Sequence, residues 1–327
     1  MSWVWKCSYA LLDWDPVYHL IQPLRRAWNL AITRRFVELL WDRPPDLVVA
    51  THFLPADVCG AGRTAGWLPA PLVVVVTDLY PHWFWTARAA DAFVVATERS
   101  GAVLEKRGIP RDRIHVLGIP IGQEFRRPAD RAALHARFQL RPERRTVLVT
   151  SGGTTVGHFE QVVQALAALE TELPGRLQLL VVCGQDARAK ARLETFAERC
   201  PMPLRVFGFV SYMADLMAAS DLVVAKAGGL TVSEALACGL PLVLYHVIPG
   251  QERQNAQHVA EHGAGVIAPN AGEVASAVRR CLEQPAHFTA MQQAASALSR
   301  PDAAGAIVSD VIAPLLQAAG RAGKRDV

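Results

Sequence analysis

Residues 220–255 read SDLVVAKAGGLTVSEALACGLPLVLYHVIPGQERQN, and this stretch decides the fold. Its pattern predicts a buried strand over Asp221–Ala225, a turn at Gly228-Gly229, a helix over about Thr231–Cys238 and a second strand over Leu242–Tyr245. A polar loop, Pro249–Asn255, then opens another helix. Short continuous apolar runs mark strands buried on both faces, the habit of parallel sheets in α/β proteins. In such sheets ligands bind where strand ends, glycine turns and helix starts converge.

The chemistry of the stretch follows from its residue types. After Lys226 the backbone must turn sharply, which two glycines permit without a Cβ clash. The helix that follows presents unpaired N–H groups and a positive dipole end, a seat for phosphate. Thr231 and Ser233 suit a capped first turn, and Glu234 lies one turn in, where a carboxylate can accept from both hydroxyls of a ribose. Gln251, Glu252 and Asn255 offer donors and acceptors suited to a sugar. The alternative is a helix–strand packing turn with solvated carboxylates, and this stretch by itself leaves both readings open.

Working outward, KAGGLTVSEALACGLPLVL followed by PGQERQN resembles the donor-sugar half of glycosyltransferase family 28. That family includes the diacylglycerol galactosyl- and glucosyltransferases and the lipid-linked N-acetylglucosaminyltransferase of peptidoglycan synthesis. The order of motifs from about Pro45 to Ile267 matches the glycolipid branch best. The resemblance implies a GT-B fold: two Rossmann-like doubly wound domains facing a cleft, the first binding acceptor and the second a UDP-sugar. It assigns the diphosphate to the glycine turns, with Gly228, Gly229, Leu230 and Thr231 on the donor side, and gives the backbone of Val210 to the uracil. It implies no metal and no cofactor, the UDP-sugar being a substrate.

The chain of 327 residues is long enough for two domains, and 51% hydrophobic residues can fill two cores. A net charge of +4 is too mild to argue for nucleic acid and is compatible with an anionic membrane surface. Six scattered cysteines lack metal-ligand spacing and read as reduced core residues of a cytoplasmic protein. No uninterrupted apolar run reaches the ~18–20 residues that span a bilayer, so the expectation is a soluble or peripheral protein on the inner face of the membrane.

Residues 1–45 hold five of the eight tryptophans with Arg25, Arg26, Arg34, Arg35 and Arg43. Trp28, Ile32, Phe36, Leu39 and Leu40 fall on one helical face. Such a helix can lie in a membrane interface or pack on the first sheet. Asp13-Trp14-Asp15 mimics a DxD metal motif but has no strand-end context, so no metal site is assigned.

An acceptor-side domain is expected over 46–125, with strands at Asp46–Ala50, Leu72–Thr77 and Ala92–Ala96. Their carboxyl ends carry His52, Asp78 and, just beyond, His82, which are the candidates for a catalytic base or else plain caps of strand ends. A linker is expected over 126–144 and a donor domain over 145–300. Its first strand, Thr146–Thr150, runs into a second glycine turn with Gly152, Gly153 and Thr154, again a phosphate cradle. Residues 301–327 are expected as a helix crossing back to the first domain, followed by a tail. Two departures from the family stand out. Gly122 replaces an arginine common after the GIP run, and no strand with a glycine-rich histidine loop precedes Asp46, so the acceptor domain is expected to be shortened at its N-terminus.

The sequence therefore reads as a UDP-sugar glycosyltransferase moving a hexose or N-acetylhexosamine to a diacylglycerol-like lipid at a membrane. The rivals are a catalytically weakened UDP-sugar-binding partner subunit and a UDP-N-acetylglucosamine 2-epimerase. The Trp/Arg-rich start and the PGQE loop argue against the last.

Overall fold

The computed structural model describes residues 15–126, 129–151, 159–248 and 250–322. It divides into two units, Met1–Pro120 with Pro249–Gln251 and Asp302–Val327, and Ile121–Ile248 with Glu252–Pro301.

The second unit is built on six parallel strands: β5 (Arg145–Thr150), β6 (Leu177–Val182), β7 (Leu204–Phe207), β8 (Leu222–Ala225), β9 (Leu242–Leu244) and β10 (Gly265–Ile267). Their order is β10-β9-β8-β5-β6-β7, with Val147 opposite Leu222 and Val149 opposite Val224. The chain grows from β5 to one edge and then returns to β5's other side at β8. Strand order reverses between β5 and β8, which makes their carboxyl ends the binding crevice of a doubly wound sheet. Strands such as Leu177–Val182 are buried along their whole length, because helices cover both faces. Gly265 is required where β10 closes on β9, since a Cβ there would stand 2.4 Å from the Leu242 carbonyl oxygen.

Residues 129–144 of the expected linker over 126–144 take part in this unit. The helix Arg131–Arg137 is tied to the sheet through Asp221, which accepts from Arg131 at 2.8 Å, Arg145 at 3.1 Å and the Thr146 N–H at 2.8 Å. Phe138 and Leu140 are buried, and the fully buried Gln178 carboxamide holds the Arg141 backbone. Composition hid this, because the anchoring carboxylate lies some ninety positions downstream.

The first unit carries β1 (Val48–Ala50), β2 (Leu72–Val75), β3 (Ala92–Val95) and β4 (Ile114–Val116), all parallel and in sequence order. One face packs under the helix Phe53–Thr64 and the indole of Trp85. The other is sealed by Ile307 and Val311 from the C-terminal helices, against Val73, Val75 and Val94. The stretch Pro285–Ala319 is long and apolar enough to cross a membrane by length and composition. In the fold it is broken at 299–302 into helices that bury Phe288 and Met291 in one unit and Ile307 and Val311 in the other.

The N-terminal helices, Asp15–Ile32 and Arg34–Asp42, break at Thr33. That break divides the apolar face expected to run from Trp28 to Leu40. Phe36 and Leu40 turn onto the first sheet, whereas Trp28, Ile32 and Leu39 stay exposed. Arg25 and Asn29 instead face inward, each donating at 2.8 Å to the buried Asp57 of helix Phe53–Thr64. A buried carboxylate must be paired, so it draws the polar side of the helix toward the protein.

Candidate active site

In the second unit the carboxyl end of β8 runs through the buried Lys226 into the helix Gly229–Ala237. Its N-cap, Gly228, has φ −68° and ψ 139° and no side-chain cap. The first-turn N–H groups are therefore open to an anion, and Thr231 and Ser233 do not close them as caps. Burial holds the Lys226 ammonium below its ordinary range, against the opposing charge of Glu252.

Beside this helix start lies a cavity of about 250 Å³. It is lined by Thr150 at the end of β5, by Val182, Gly184 and Gln185 around the end of β6, and by Phe209, Val210, Met213 and Met217 beyond β7. Thr231 and Glu234 of the helix complete the lining. The structure thus brings together Val210, Thr231 and Glu234, with Gly228, Gly229 and Leu230 at the adjoining turn. It adds Gln185, Phe209, Met213 and Met217, which sequence reasoning passed over. Phe209 is 74% exposed, and its position directly after a strand end was the available signal. Glu234 is pushed up to about 7, first by burial and then by the charge of Glu124. A carboxylate so desolvated gains from ligand hydroxyls aimed at it.

The following loop is divided in role. Asn255 is buried and donates to the Ala227 carbonyl oxygen at 2.9 Å, so it braces the turn that leads into Gly228. Glu252 accepts from the Ile248 N–H at 3.0 Å. His246, just past β9, holds φ at +47°, a left-handed conformation rare outside glycine. Gly152, Gly153 and Thr154 lie outside the described residues, as do Pro249 and the first two residues of Asp13-Trp14-Asp15.

In the first unit, His52 and His82 both serve as N-caps. Nδ1 of His52 accepts from the Leu54 N–H and Nδ1 of His82 from the Phe84 N–H, each at 3.2 Å. Asp78 lies past β2, where its Oδ2 accepts from Trp85 Nε1 at 3.3 Å and from Gln251 Nε2 at 2.8 Å, Gln251 belonging to this unit. Burial raises the Asp78 carboxyl to about 6, opposed by the Trp85 hydrogen bond. Among the described residues no group of three or more His, Cys, Asp or Glu is arranged to hold a metal.

Two units of parallel sheet flanked by helices, one with a cavity at a strand-order reversal, make this a GT-B type protein. Solved structures share the fold. The UDP-GlcNAc 2-epimerase of Neisseria meningitidis aligns with a TM-score of 0.68 at 14% identity, covering 87% of this chain and 81% of that one. The MurG protein of Acinetobacter baumannii aligns at 0.60 and 17% identity, covering 88% and 76%. Residues 146–307 match the glycosyltransferase family 28 C-terminal domain, and residues 19–121 match monogalactosyldiacylglycerol (MGDG) synthase. A processive diacylglycerol beta-glucosyltransferase of Bacillus mycoides is 30% identical over 281 residues, 86% of this chain and 71% of that protein. A namesake in Bacillus cereus is 29% identical over 289 residues, 88% and 73%. The chain belongs to glycosyltransferase family 28, with the diacylglycerol glycosyltransferases.

Proposed function

We propose that this protein transfers a hexose or N-acetylhexosamine from a UDP-sugar to a diacylglycerol-like lipid, working peripherally on the inner, anionic face of the membrane. The observation that carries the reading is the cavity at the ends of β5, β6 and β7, its lining completed by Thr231 and Glu234 beside an uncapped helix start. Its size and lining suit a nucleoside, with Val210 offering backbone groups to the base and Glu234 accepting from the ribose. The Gly228–Thr231 turn meets the diphosphate with N–H groups, and Gly152, Gly153 and Thr154, which follow β5 in sequence, are read from residue type alone as its counterpart. Charge developing on the departing UDP is stabilised by such preset donors, with no cofactor taking part. Gln251 and Glu252 take the sugar, and Asn255 keeps the turn in shape.

The membrane reading is supported by the first helix. Leu20, Leu24, Trp28 and Ile32, spaced by four, are 81%, 76%, 66% and 56% exposed. The exposed positions from 20 to 32 are all apolar, and Arg34 and Arg35 follow them at the surface. An apolar face with a basic end suits an interface of anionic lipid.

The test is transfer of radiolabelled sugar from UDP-glucose, UDP-galactose and UDP-N-acetylglucosamine to diacylglycerol in anionic vesicles. Labelled glycolipid from at least one donor is expected. Donor binding without any lipid product would replace the reading with a UDP-sugar-binding partner subunit.

A further inference from the structure

A transfer reaction needs a group to take the proton of the acceptor hydroxyl, and four side chains past the strand ends of the first unit are chemically able to do so: His52, Asp78, His82 and Glu98, the last exposed and paired with Arg111 at 3.3 Å. The geometry points to Asp78 as that base, with Trp85 as the residue that positions it; the inference rests on the glycosyltransferase reading above.

The two histidines are removed by their own hydrogen bonds. A neutral imidazole has one N–H and one lone pair. In His52 and His82 the Nδ1 lone pair is engaged by a backbone N–H, which puts the ring proton on Nε2. Neither ring has a lone pair left to receive a proton while it caps its turn. Their role is to set the entry of Phe53–Thr64 and of the turn Trp83–Trp85.

Asp78 differs on each count. Oδ2 is held by Trp85 and Gln251, whereas Oδ1 has no hydrogen bond among the described residues. The indole is rigidly seated, fully buried and edge-on to both His52 and Phe53 at centroid distances of 6.4 and 6.1 Å. The charged and titratable groups on the surrounding elements are otherwise occupied. His52 and His82 cap turns, Arg107 donates to the Pro81 carbonyl oxygen, and the Arg25 guanidinium covers Phe84. Glu252, next to Gln251, turns its Oε2 to Ile248. Burial is what raises the Asp78 carboxyl to about 6, so it is mostly ionised near neutrality yet more basic than an ordinary aspartate.

The step balances without a further reagent. The acceptor oxygen forms a bond to the anomeric carbon as its proton passes to Asp78 Oδ1. The bond from that carbon to the diphosphate oxygen breaks, and its electron pair leaves with UDP. Solvent then takes the proton from Asp78.

The experiment measures transfer at saturating UDP-sugar and lipid from pH 5 to 8.5, alongside UDP titration as a check of folding. The wild-type rate should rise tenfold per pH unit below about 6 and level off above it. Asp78→Asn should bind UDP normally and lose ~10²–10⁴-fold in kcat at pH 7.5, the usual worth of a general base. Trp85→Phe, which deletes the hydrogen bond that lowers the carboxyl, should move the inflection to higher pH, a shift that a packing role would not produce. His52→Asn keeps a capping group and should cost far less than Asp78→Asn, with the inflection unmoved. A smaller loss in Asp78→Asn, or an equal loss in His52→Asn, overturns the inference while leaving the function reading intact. Wild-type protein that binds UDP-sugar and transfers nothing overturns that reading, and the inference with it.

Discussion

Proton linkage at Glu234 gives a direct test of how the nucleoside is held. In the free protein this carboxyl ionises near 7, chiefly through burial, so the charged form is the strained one. If the ribose hydroxyls donate to it, UDP selects the carboxylate and binding below pH 7 releases a proton. The ionised fraction is about 0.1 at pH 6 and about 0.9 at pH 8 for a group centred on 7, so UDP affinity should rise about tenfold between them. The terminal phosphate of UDP titrates in the same region, with a second pKa of about 6. The quantity to compare is therefore the ratio of wild type to Glu234→Gln, measured by calorimetric titration in buffers of different ionisation enthalpy. The sign for the fold is opposite. A carboxyl raised from 4.5 stabilises the free protein fully below that value and loses its contribution as pH rises through about 7. Wild type should thus melt progressively lower than Glu234→Gln as pH rises from 5 to 8, with UDP narrowing the gap. A ratio of affinities that stays constant from pH 6 to 8 would refute the argument and take Glu234 out of the site.

Three further outcomes are expected. Asp57→Ala should destabilise the first unit by ~3–5 kcal/mol in denaturant melts, because Arg25 would lose the buried carboxylate it is paired with. Glu252→Ala should weaken binding of intact UDP-sugar in calorimetry while leaving UDP affinity within about twofold, the loss being smaller than one charged hydrogen bond of ~1.5–3 kcal/mol. Leu24→Glu combined with Trp28→Glu should abolish sedimentation with anionic vesicles and leave UDP binding and melting temperature nearly unchanged, since both side chains are already exposed. Wild-type sedimentation should weaken at high salt, where the arginines are screened.

The strands were legible because a strand buried on both faces writes its burial into consecutive residues. Leu222–Ala225 and Leu242–Leu244 fall within one residue of the runs that sequence marks out. The glycine turn ahead of the helix was legible for a related reason, as the backbone conformation a residue permits is local. What only the tertiary structure decided involves partners far apart in the chain. Asp221 captures Arg131 across ninety positions and turns an expected linker into part of a unit. Asn255 reads as a sugar ligand until Ala227 claims its carboxamide. His52, Asp78 and His82 look equivalent at strand ends until two backbone N–H groups engage the histidines and Trp85 engages the aspartate. The first helix shows the limit most plainly, since its 3.6-residue period records that one face is apolar without recording what that face meets. Asp57, a buried charge on another helix, determines that the polar face turns inward, because leaving it unpaired costs more than exposing a row of leucine and tryptophan.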